Sequence, residues 1–137
     1  MDKYLLVISC GEVLGISYEL VLKISKFLEN NRFLIPVLVG NLKWLKYVSK
    51  KINTGLSFLV VNEEILATTQ KLVLPKQKCL LIDVLPNYDI FTLKRNSGEV
   101  SICTLEKTVD LIHLFIKFKK KFCLLTMPVS KKNIQKY

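Results

Sequence analysis

Apolar residues along the chain fall into short dense runs separated by longer stretches of helical periodicity. Tyr4 to Ile8 is unbroken, and Phe33 to Val39, Leu56 to Val61, Cys79 to Val84 and Phe122 to Thr126 are nearly so. Runs of this length and continuity predict strands buried on both faces. Pro36 lies inside the second run. It cannot donate to a ladder, so an edge position or a bulge is expected there.

Helical spacing fills the gaps. Ser17 to Glu29 predicts a first helix, with Leu20, Val21, Ile24, Phe27 and Leu28 as its buried stripe. Glu19 in its first turn suits the helix dipole and can pair with Lys23. Gly40-Asn41 opens a second helix with Asn41 as N-cap. Leu42, Leu45, Val48 and Ile52 line its buried side with Trp44 beside them, and Gly55 closes it. A long helix spans Ser101 to Lys119, with Leu105, Val109, Ile112 and Ile116 buried. Glu106, Asp110, His113 and Lys117 form its opposite face. Tyr88 to Leu93 reads as a further short strand leading into a turn over Lys94 to Gly98. Asn62 to Leu74 is ambiguous, helix-like at its start and strand-like at its end. Strands alternating with helices predict one α/β unit over 1–137, a three-layer α/β/α arrangement on a largely parallel sheet.

Composition agrees with a globular unit: 137 residues, half of them apolar and 23% charged, suffice for one real core. No apolar run approaches the roughly 18 residues of a membrane helix. Val7-Ile-Ser-Cys10 looks like a lipoprotein cleavage box, but the apolar segment before it is shorter than a signal core of about 7–15 residues. A cytoplasmic chain without membrane partners is expected. The net charge of +10 points toward polyanions, but lysine supplies nearly all of it, Arg32 and Arg95 being the only arginines and Ala67 the sole alanine. That pattern reads as a bias of the whole chain, with lysines on solvated faces. The aromatics sit in apolar runs rather than between basic residues, which argues against a nucleic-acid surface.

Cys10, Cys79, Cys103 and Cys123 are far apart and read as small buried hydrophobes. His113 is the only histidine. Glu106, Asp110 and His113 share a helical face but read as a surface cluster, so no metal ligands are assigned. No Ser-His-Asp or Cys-His arrangement suggests a nucleophile, and no catalytic residue is assigned.

The stretch with most chemical promise is Tyr4 to Glu19. A strand stops at Gly11, Gly15 follows, and a helix begins at Ser17. Glycines let backbone approach a bound group, and a helix N-terminus favours an anion. The spacing matches neither the dinucleotide fingerprint nor a P-loop.

Ser9-Cys-Gly-Glu-Val-Leu-Gly-Ile-Ser-Tyr-Glu19 resembles the opening of the 4-hydroxythreonine-4-phosphate dehydrogenase family, which reads Gly-Asp/Glu-Pro-Ala-Gly-Ile-Gly-Pro-Glu. Gly11, Glu12, Gly15, Ile16 and Glu19 match, while Val13, Leu14, Ser17 and Tyr18 depart. Gly98-Glu-Val-Ser101 resembles the family's Gly-x-x-Ser turn, and Leu125-Thr-Met-Pro-Val-Ser-Lys131 its Thr-x-Pro-Ile/Val-x-Lys strand end. The resemblance implies the N-terminal part of an isocitrate/isopropylmalate dehydrogenase-like fold. It implies an oxidoreductase of pyridoxal phosphate (vitamin B6) biosynthesis, a homodimer that uses NAD and a divalent metal to oxidise 4-phosphohydroxy-L-threonine. Gly11, Glu12 and Lys131 carry over as substrate-side positions; cofactor-binding positions stay unassigned. The family's metal-binding histidines and Gly-His-Thr substrate motif have no counterpart here. The expectation is therefore a truncated family member, inactive alone and without cofactor of its own. The alternatives are one half of a split dehydrogenase, completed by a separate C-terminal half, or a basic nucleic-acid-binding module.

Overall fold

A computed structural model describes residues 3–31, 33–69 and 78–132. Its elements are β1 (Tyr4–Ser9), α1 (Ser17–Phe27), β2 (Leu34–Gly40), α2 (Leu42–Ile52), β3 (Ser57–Val60), α3 (Glu63–Thr68), β4 (Lys78–Asp83), α4 (Ile90–Arg95), α5 (Ser97–Lys117) and β5 (Phe122–Thr126). Among the described residues the strands form one five-stranded sheet, ordered β3-β4-β2-β1-β5. Every pairing is parallel. The fold class read from the sequence is the one observed.

The strand period of two sorts the core into two layers. Ile8 and Leu38 face one way, onto Val21 and Leu22 of α1 and Leu45 of α2. Leu5, Val7, Val37 and Val39 face the other, onto Leu66 of α3 and Leu111 and Phe115 of α5. Helices therefore cover both faces, which is why the central strands read as continuous apolar runs.

Four expectations are corrected. Pro36 is not at a sheet edge, because β2 lies between β4 and β1. Tyr4 N–H bonds Phe33 C=O (2.8 Å) and Cys10 N–H bonds Val39 C=O (2.9 Å), so odd-numbered residues of β2 serve β1. The missing N–H of Pro36 would point toward β4, whose register begins one residue later at Val37↔Leu80. A proline is tolerated in this central strand because that side of the ladder has not yet started.

Tyr88 to Leu93 is not a strand. Asp89 accepts the Thr92 N–H (2.7 Å) and caps the short helix α4. The expected turn shrinks to Asn96, and α5 starts at Ser97 rather than Ser101.

The buried stripes of α1 and α5 are rotated from those expected. In α1, Tyr18, Val21, Leu22 and Ser25 are buried, while Leu20 and Phe27 lie 38% and 87% exposed. In α5, Val100, Thr104, Thr108, Leu111 and Phe115 are buried, and Val109 and Ile116 face outward. The cause is the same in both. The hydroxyls of Ser25, Thr104 and Thr108 donate to the carbonyls of Val21 (2.8 Å), Val100 (2.7 Å) and Thr104 (2.8 Å) one turn back. With its polar group satisfied inside the helix, a Ser or Thr packs as a small hydrophobe. The strand-like end of the ambiguous segment, Lys71 to Leu74, lies outside the described residues. Its start is α3, capped by the Asn62 side chain on Glu64 and Ile65 N–H.

Candidate functional site

In a parallel sheet all C-terminal strand ends share one rim, and here β1, β2, β4 and β5 end side by side. Ligands of open α/β sheets bind along such rims. The loop after β1 and the segment after β5 are stitched together there. Met127 N–H bonds Ser9 C=O (3.0 Å), extending the β1–β5 ladder by one step. The Ser17 hydroxyl donates to Pro128 C=O (3.1 Å), and Glu12 N–H reaches the same carbonyl (3.4 Å). Ser130 N–H donates to Glu12 Oε2 (2.8 Å).

These contacts place the sequence-assigned residues. Glu12 is 7% exposed, and its carboxylate is turned into the protein. Gly11 has φ +74°, and a Cβ on it would stand 2.7 Å from Pro128 C=O and 2.9 Å from Met127 Cβ. Its closeness is to the chain itself. Gly15, at φ +100°, has open space where a side chain would go. Lys131 is exposed one residue beyond Ser130. Gly11 and Glu12 thus meet the segment that carries Lys131.

The β2–β4 side of the rim holds a second polar group that the sequence reading did not assemble. Asn41 is fully buried and uses both ends of its amide. Oδ1 accepts the Trp44 N–H (3.0 Å), and Nδ2 donates to Val84 C=O (2.8 Å) and Leu85 C=O (3.0 Å). Its own N–H donates to the Tyr18 hydroxyl (3.1 Å). Asp83 Oδ1 accepts the Leu42 N–H in the first turn of α2 (2.9 Å). The N-cap was legible from Gly40-Asn41; the bonds to Val84 and Leu85 span more than forty residues of chain.

Burial governs the titrating groups here. It raises the Asp83 carboxyl above its ordinary 3.8, against the Leu42 N–H and the charges of Lys43 and Lys46. Burial pushes the Tyr18 hydroxyl and the Cys10 thiol far up, so both are neutral, and pushes Cys79 up to about 11. Tyr88 Oη donates to Glu99 (2.5 Å) and Lys43 Nζ donates to Tyr88 C=O (3.2 Å), tying the first turn of α5 to the same rim.

No family model matches the sequence, and no curated protein does either. Solved structures do match. A 4-hydroxythreonine-4-phosphate dehydrogenase from Burkholderia phymatum superposes with TM-score 0.68 at 15% identity, over 98% of this chain and 39% of that one. The chain shares the fold of these dehydrogenases. A Klebsiella pneumoniae 4-hydroxythreonine-4-phosphate dehydrogenase gives TM-score 0.63 at 14% identity, again over 98% and 39%. A Salmonella typhimurium structure described as the same enzyme gives 0.67 at 17%, over 98% and 40%. The chain spans about two fifths of the length of the structures it matches.

The described residues do not fit the metal and dinucleotide that the resemblance implies. Among the described residues no three His, Cys, Asp or Glu side chains converge to hold a metal ion. His113 lies on the exposed side of α5, and Asp83 is engaged at α2. The Gly11 backbone is covered by Pro128, and the glycine spacing of its loop matches no dinucleotide fingerprint. No reaction step is derived through either group. No helix among the described residues is long and apolar enough to cross a membrane.

Proposed function

We propose that this chain is a partial, 4-hydroxythreonine-4-phosphate dehydrogenase-like protein, equivalent to the N-terminal portion of that enzyme. One observation carries the reading: the stretches that resemble the family meet on one rim of a matching fold. Gly11 and Glu12 touch the segment before Lys131, and Gly98 lies beside Glu99, which Tyr88 ties to the rim. On this reading Gly11, Glu12 and Lys131 belong to the substrate side. Glu12 acts by holding the Lys131 segment, leaving the lysine to meet the substrate phosphate.

The oxidation needs a Lewis acid on the substrate hydroxyl and a hydride acceptor beside it. The resemblance implies a divalent metal and NAD for these roles, and among the described residues no three side chains converge to hold a metal ion. On this reading the chain turns over no substrate alone, and a separate chain supplying the metal ligands and the cofactor site would complete a split enzyme. The test is an assay of the pure chain with phosphohydroxythreonine, NAD and a divalent metal. No reduced NAD should form, and substrate should still protect the Lys131 amine from acylation. Measurable turnover would overturn the inactive reading, and unprotected Lys131 the substrate-side one.

A further inference from the structure

The lysines are not spread evenly. On α1, Lys23 pairs with Glu19 (3.1 Å) and Lys26 with Glu29 (3.0 Å). Along α5, Glu99, Glu106 and Asp110 outnumber Lys107 and Lys117, and a second lysine cluster, Lys119 to Lys121, follows its C-terminal end. α2 carries Lys43, Lys46, Lys50 and Lys51 and no acidic residue, and the adjoining α4 adds Lys94 and Arg95. Asp89, the α4 cap, is the only carboxylate on that pair of helices, and none of the six cations enters an ion pair among the described residues.

Folding also brings aromatic rings between these cations. The sequence reading assigns the aromatics to apolar runs. On the helices, Tyr47 is 40% exposed, with Lys51 Nζ and Lys94 Nζ at 5.8 and 5.9 Å from its ring centroid. Phe91 is 69% exposed, with the Arg95 guanidinium carbon at 5.5 Å. Lys46 and Lys50 continue into an open groove of about 260 Å³ toward the β3 edge, floored by Leu56 and Phe58.

We propose that the α2–α4 face binds single-stranded nucleic acid. Cations spaced along two helices would neutralise successive phosphates, and exposed rings between them would stack unpaired bases. A membrane surface fits less well. The apolar side of α2 is spent on the core through Trp44 and Leu45, leaving no continuous apolar face to enter a bilayer. The inference does not depend on the dehydrogenase reading.

The test is fluorescence anisotropy of the full chain with a labelled oligothymidylate. If four phosphates are neutralised, affinity falls about 50-fold between roughly 50 and 200 mM salt, the slope being about 0.7 per phosphate. Lys46→Glu/Lys50→Glu/Lys94→Glu abolishes binding. Lys117→Glu/Lys119→Glu/Lys121→Glu, an equal charge change at the far end of α5, changes it by less than about three-fold, the residue of a screened long-range field. Tyr47→Ala and Phe91→Ala each weaken binding about five-fold or more with the salt slope unchanged. Circular dichroism confirms that each variant is folded, and the exposed Phe91→Ala stands if a charge triple does not fold. Equal loss in both charge triples, no effect of either aromatic change, or tighter binding to anionic vesicles or duplex DNA would overturn the proposal.

Discussion

Glu12 Oε2 accepts the Ser130 N–H at 2.8 Å across 118 residues of sequence, clipping the loop after β1 to the segment after β5. Glu12 is nearly buried, so this bond is made away from water.

Removing that acceptor should be felt as stability first. Glu12→Ala leaves the Ser130 N–H short of its partner and should cost about 1.5–3 kcal/mol. Glu12→Gln keeps an acceptor and should lose less than half as much. Thermal melts rank the two, and amide exchange at Ser130 should quicken in the alanine variant. Equal melts for all three chains would mean the clip carries no net energy.

Gly11 and Gly15 are both in left-handed backbone, yet they should respond differently. Gly15→Ala meets open space and should cost only the backbone term, about 1–2 kcal/mol. Gly11→Ala adds a methyl 2.7 Å from the Pro128 carbonyl, a backbone atom that cannot swing aside. It should cost at least about 2 kcal/mol more, in the range of core overpacking. Urea midpoints at fixed slope measure the difference.

Asn41 separates capping from cross-linking. Asp is ordinarily as good an N-cap as Asn. Here Asn41→Asp keeps the acceptor for Trp44 N–H but turns a second oxygen on the carbonyls of Val84 and Leu85. It should therefore be at least as damaging as Asn41→Ala, for which about 2–4 kcal/mol follows from a lost cap plus unsatisfied buried carbonyls. A melt in which the aspartate variant matches wild type would show that only the cap matters.

Asp83 gives a pH dependence of unusual sign for a carboxylate. Burial raises its folded pKa above the ordinary 3.8, so the folded chain holds this proton more tightly than the unfolded chain. Its contribution is most favourable below 3.8, declines as pH rises from there to the raised folded value, and is level above that. Asp83→Asn keeps an acceptor for Leu42 N–H and removes the titration. The melting temperature of the variant minus that of wild type should grow with pH across that window. A difference that shrinks instead would mean the carboxylate is net stabilised by Leu42, Lys43 and Lys46.

Much of this molecule was legible one residue after another. The runs Tyr4 to Ile8, Phe33 to Val39, Leu56 to Val61, Cys79 to Val84 and Phe122 to Thr126 each became a strand to within one or two residues. The central strands β1, β2 and β4, covered on both faces, must be apolar throughout. The edge strands β3 and β5 are apolar yet leave Leu59, Val60 and Leu124 exposed, contrary to the expected burial on both faces. Gly40-Asn41 carries its capping chemistry locally. The alternation of elements then leaves little choice but a parallel sheet. The sequence by itself determined the order of the five strands and of α1, α2 and α5, the layer architecture and the resemblance of the glycine loop.

The tertiary structure decided what no local pattern encodes. Which side of α1 and α5 is core depended on Ser25, Thr104 and Thr108 satisfying their hydroxyls on the preceding turn, so that hydropathy misjudged them. Pro36 was admitted to a central strand only because the neighbouring register starts at Val37. The inward turn of Glu12, the packing of Pro128 on Gly11 and the meeting of Tyr47 with Lys94 all join residues distant in sequence. Periodicity reports one element at a time. Contacts between elements are set by strand order and register, and those exist only once the sheet has formed.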